Sequence, residues 1–167
     1  RDACAGDPGA GVIRRSKAAP AEAGAAVLLA SEGRPITGAA VDTAARLAKE
    51  AGGGVHVFAV ARVWGTSFGM PNPGLLPSKK EWDQQRGVVE DAVKRLKKQG
   101  VKASGHVLAT RKATKRIVAE AERLGCRAIV MAADPPRNRF VADLMWSQEP
   151  YRVKRRADVP VYLVTDM

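Results

Sequence analysis

Ala25-Ala-Val-Leu-Leu-Ala30, followed at once by Ser31-Glu-Gly-Arg-Pro35, is the stretch that decides the fold. A short continuous apolar run closed by turn formers reads as a β-strand hidden on both faces. Such strands belong to sheets with helices above and below. The text that follows alternates accordingly. Ile36 to Ala51 sets Ile36, Ala40, Ala44, Leu47 and Ala48 at helical spacing, with Asp42, Arg46, Lys49 and Glu50 off that stripe, and Gly52-Gly-Gly54 stops it. Val55 to Val60 is a second strand. Arg62 to Pro77 is a long loop rich in Gly and Pro. Ser78 with Glu81 three residues on forms a capping box, opening a helix that runs to about Gln99.

The alternation continues to the end of the chain. Val101 to Ala109 reads as a strand, Lys112 to Leu124 as a helix, and Ala128 to Ala132 as another buried strand. After a loop at Ala133 to Asn138 comes a helix over Arg139 to Arg156, expected to kink or split at Pro150. Val159 to Val164 is the last strand. Five strands alternating with helices predict an α/β fold: a five-stranded, mostly parallel open sheet with right-handed crossovers and helices on both faces. Residues 1–24 hold seven Ala, four Gly and two Pro without apolar periodicity, so they read as a flexible arm or linker. The folded domain is expected over 25–167.

Composition excludes several classes. Of 167 residues, 46% are hydrophobic and 27% charged, which is ordinary globular usage. Strongly apolar runs reach only about six residues where a membrane span needs about 20, so no span is expected. The first thirty residues show no secretory signal, and Cys4 and Cys126 read as unpaired thiols of a reducing compartment. The expected location is cytoplasmic. Without CxxC, and with His56 and His106 lacking ligand-like neighbours in sequence, no metal site is expected.

In an open α/β sheet, ligands bind beyond the carboxyl ends of the strands. The loops that matter are therefore Ser31 to Pro35, Ala61 to Pro77, Thr110 to Thr114 and Ala133 to Asn138. None carries GxGxxG, GxxxxGK[ST] or GxSxG, so no catalytic residue is assigned and binding is favoured over catalysis. Lys plus Arg exceeds Asp plus Glu by 28 to 17. Basic residues crowd Lys94 to Arg116, with a second cluster at Arg152, Lys154, Arg155 and Arg156. Two readings stay open: solvated helix faces, or a surface for an anionic partner. Aromatic residues do not interleave these stretches, which disfavours nucleic acid.

Four passages resemble the universal stress protein family. Val27 to Pro35 is similar to the family's first strand and turn; Ala44 to Lys49 with Val55 to Phe58 is similar to its first helix and second strand. Ile117 to Met131 and Ala157 to Val164 resemble its later helix, fourth strand and closing strand. The resemblance implies an adenine nucleotide, ATP above all, as the candidate ligand, although no cofactor is fixed by the residues themselves. It places candidate binding positions at Ser31, Glu32, Gly33, Val60, Ala132, Asp134 and Ser147, while Arg137 and Arg139 are the side chains at hand for phosphate in place of a backbone cradle. The family's G-x2-G-x9-G-S/T loop falls here on Ala132, Pro135, Trp146 and Ser147, with one extra residue. A Cβ or a proline ring obstructs the close approach of backbone amides to phosphate that glycine permits. Glu32 replaces the family's Asp, and Arg34 its Ser. The expectation is a dimeric cytosolic binding or regulatory module with weak or absent ATP affinity, pairing through 159–164. Two alternatives are a cytosolic domain of a larger membrane transporter, motivated by the Arg1 start, and an ATP-binding or ATP-hydrolysing member of the same fold group.

Overall fold

The computed structural model describes residues 25–62, 77–133 and 148–165. The described residues form β1 (Val27–Ser31), α1 (Gly38–Glu50), β2 (Val55–Arg62), α2 (Lys79–Lys98), β3 (Ala103–Thr110), α3 (Ala113–Arg123), β4 (Ala128–Ala132), α4 (Glu149–Arg156) and β5 (Val161–Val164). The expected arm, most of the 62–77 loop and the loop after Ala133 lie outside the described residues.

All four strand pairings are parallel, in the order β3-β2-β1-β4-β5. β1 sits at the centre, buried at every position. Side chains alternate across the sheet, so its faces pack separately. Val27, Leu29, Val57 and Val130 meet Ala44, Leu47, Val89 and Leu96 of α1 and α2. Leu28, Phe58, Ile129 and Met131 meet Ile117, Val118 and Val153 of α3 and α4. With few aromatics, aliphatic side chains fill both layers.

Local chemistry sets the helix ends. The capping box is present: Ser78 Oγ accepts from Glu81 N at 3.3 Å, and Ser78 N donates to Glu81 Oε2 at 2.6 Å. Thr37 caps α1 by accepting from Ala40 N, so this helix starts two residues later than its apolar stripe suggests. Pro150 stands in the first turn of α4, where a missing N–H leaves no hydrogen bond unmade. The rest of the helix read over 139–156 lies outside the described residues. No helix among the described residues is long and apolar enough to cross a membrane.

Candidate functional site

Chain order reverses at β1: β2 lies on one side and β4 on the other, and their carboxyl ends define the switch point where ligands of such sheets bind. Ser31 ends β1 there and Ala132 ends β4.

The turn after β1 is tightly held. Ser31 Oγ donates to the Arg34 carbonyl at 2.5 Å and accepts from Gly33 N at 3.2 Å. Gly33 has φ of 111°, a conformation that suits glycine. Glu32 is 1% exposed, and its Oε1 lies 2.7 Å from Arg34 Nε. The carboxylate expected to face a ligand is therefore engaged by a guanidinium two residues away. Val60, expected as a cleft wall, is wholly buried among Phe58, Met131 and the α3 side chains. Ala132 packs against the α1 layer. Asp134, Arg137, Arg139 and Ser147 lie outside the described residues.

Beside this end of the sheet the structure joins what the sequence keeps apart. Arg111, Lys112 and Lys115, from the start of α3, line one cavity with Arg152, Arg155 and Arg156 of α4. Its volume is about 790 Å³. The first turn of α3 contributes Ala113 and Thr114, and its N-cap residue, Lys112, makes no side-chain capping bond. Thr114 Oγ1 donates to Glu149 Oε2, and Arg152 Nη1 lies 3.3 Å from Glu149 Oε1, so one acid ties the two helices. Six cations and one acid, Glu149, give the cavity a net positive lining. The two basic clusters were legible separately; their convergence depends on α3 packing against α4.

A second cluster gathers residues that the sequence keeps apart. His56 Nε2 lies 3.0 Å from His106 Nδ1, and His106 Nε2 lies 3.5 Å from Glu120 Oε1. Linear spacing hid this, because β2, β3 and α3 each supply one residue. Burial, then repulsion from His106, lowers the His56 pKa to about 4; burial also lowers that of His106. Burial alone would raise Glu120, but its bond to Arg123 and the nearby imidazoles bring it below the usual carboxylate range.

The site and sheet together define a doubly wound α/β domain with a basic cleft at its carboxyl edge. The sequence profile of the universal stress protein family matches residues 25–165, and the chain belongs to that family. A universal stress protein from Archaeoglobus fulgidus superposes with a TM-score of 0.63 at 18% identity, covering 83% of this chain and 91% of that one. A family protein from Burkholderia pseudomallei gives 0.61 at 21% identity, covering 84% and 95%. The Archaeoglobus fulgidus protein in complex with dAMP gives 0.58 at 20% identity, covering 82% and 94%. At these identities the likeness establishes the fold alone. No curated protein matches the chain by sequence.

Proposed function

We propose that this domain is a cytosolic, dimeric binding and regulatory module, not an ATP-hydrolysing one, and that it holds ATP weakly or not at all. The observation that carries this reading is the Glu32–Arg34 ion pair at 2.7 Å, buried at the end of β1. A carboxylate free at that position would accept hydrogen bonds from a ligand; one already held by a guanidinium and hidden from solvent offers little. Pro135 and Pro136 remove two backbone donors from the loop that would cradle phosphate.

Adenine nucleotides remain the candidate ligand class, since a structural relative is described in complex with dAMP. Any phosphate contact would rest on side chains: Arg137 and Arg139 from the loop, and Arg111, Arg152 and Arg155 from the cavity. Charge attraction through exposed arginines is screened by salt, with a Debye length of about 8 Å at physiological ionic strength. Titration calorimetry with ATP and AMP at low and high salt tests the reading. Weak binding that vanishes at high salt, or none, is expected. Micromolar binding indifferent to salt would overturn it.

A further inference from the structure

We propose that His56, His106 and Glu120 form a binding site for a borderline divalent cation of the zinc class, at the end of the sheet opposite the nucleotide cleft. His56 is the second residue of β2, and its side chain lies on the α3 face with Phe58. In the β2–β3 register Phe58 stands beside His106 and His56 beside Ser104, which puts both imidazoles on that face. α3 crosses above and brings Glu120. One nitrogen from each ring and one Glu120 oxygen all lie within 4.8 Å of one another.

The donor set suits the cation. Two imidazoles and a carboxylate, with a further position open to solvent, is a zinc-type arrangement. Two nitrogens bound at 2.0–2.1 Å to one tetrahedral ion sit about 3.4 Å apart. The 3.0 Å between His56 Nε2 and His106 Nδ1 needs to open by only a few tenths, while Glu120, whose Oε1 now faces His106 Nε2 at 3.5 Å, must swing toward that pair to complete the set. Ligating histidines commonly have the other ring nitrogen hydrogen-bonded, which fixes the tautomer. His56 Nδ1 has such a partner in Ser104 Oγ at 2.9 Å. Phe58 packs against His106 with ring centroids 5.0 Å apart and limits its rotation. Arg123 grips Glu120, its Nε 3.0 Å from Oε2; the guanidinium is 62% exposed and free to yield to a cation. A bound ion would pin the edge strand β3 to α3.

The chain has two histidines, and both are here. Imidazole-bound metal in a tag-free, chelator-stripped full chain therefore reports on this site alone. Zn2+ titration followed by calorimetry and by long-range 1H–15N spectra should show one equivalent bound and both imidazole spin systems shifted. Co2+ should give visible d–d bands. His106→Gln should abolish these signals, and Ser104→Ala should weaken affinity about 10–100-fold through loss of its bond to His56. Circular dichroism checks that the variants fold. If His106→Gln unfolds the chain, the unaltered protein still decides through its imidazole resonances. Zn2+ binding that leaves those resonances unmoved, or no binding at all, means that the two rings share only a hydrogen bond, and overturns the proposal.

Discussion

Gln85 of α2 donates from Nε2 to the carbonyl of Gly33, 3.2 Å away and 52 positions earlier. A helix on one face thus steadies the turn that ends the central strand. The same turn is braced from within by the Ser31 hydroxyl and by the Glu32–Arg34 pair. The end of β1 is consequently a prebuilt surface, whose shape does not wait for a ligand.

Removing the guanidinium from that turn is expected to be costly. Arg34→Ala leaves the Glu32 carboxylate buried without its cation. Breaking a buried pair from one side costs about 3–5 kcal/mol, and partial exposure of Arg34 reduces this to about 2–4 kcal/mol. Urea denaturation measures it. Glu32→Gln, which removes the charge that needs a partner, should cost less; the opposite ranking would deny the pair its role.

Gly53 and Gly52 offer a matched comparison. A Cβ on Gly53 would lie 2.0 Å from the backbone oxygen of Ala25, two residues before β1, so the backbone itself would have to shift. Gly52 has φ of +67° but open space around it. Gly53→Ala is expected to destabilise by about 3 kcal/mol or more. Gly52→Ala should lose about 1 kcal/mol from backbone strain alone. Thermal melts of both variants check the order.

Acid should weaken the metal-free protein earlier than carboxylate titration would. His56 and His106 have folded pKa values below their ordinary 6.5, His56 near 4, while in the unfolded chain they regain the ordinary value. Between about pH 6.5 and 4 the unfolded chain therefore binds more protons, so stability is complete above 6.5 and falls as pH drops through that window. Glu120 and Arg123 are the charged groups facing the pair, and they act in opposite directions. With a chelator present, the urea midpoint should decline from pH 6.5 to 5. The decline should flatten in the His56→Gln, His106→Gln double variant.

β5 pairs with β4 on one side, and Tyr162 on it is 40% exposed. Pro160 precedes this strand, a position suited to an edge. An edge strand of this kind pairs readily with a second copy. Sedimentation should find a dimer at micromolar concentration, converted to monomer by Val161→Lys. A monomer in the parent chain would remove dimerisation from the proposed function.

Most of the architecture was legible because each element is written in contiguous residues. Ala25 to Ala30 announces a strand buried on both faces, and Ser78 with Glu81 announces a helix start. Their bounds moved by only one or two residues. Sites were harder, since they are made by register and packing. The His56–His106 contact exists because β2 and β3 align Phe58 with His106. The cationic cavity exists because α3 lies along α4. Val60 owes its full burial to packing with Phe58 and Met131 on the α3 face.

The central place of β1 has a consequence for synthesis on the ribosome. β1, β2 and β3 can assemble through successive crossovers as they emerge, but the other edge of β1 awaits β4, where Val27 meets Ala128 about a hundred residues later. Until then the nascent chain carries an unpaired strand edge, its N–H and C=O groups unmet and its side chains largely apolar, and closing so long a loop is slow. Cells that make this protein must shield that margin during translation, and a polypeptide terminated before Ala128 should be captured by chaperones or aggregate.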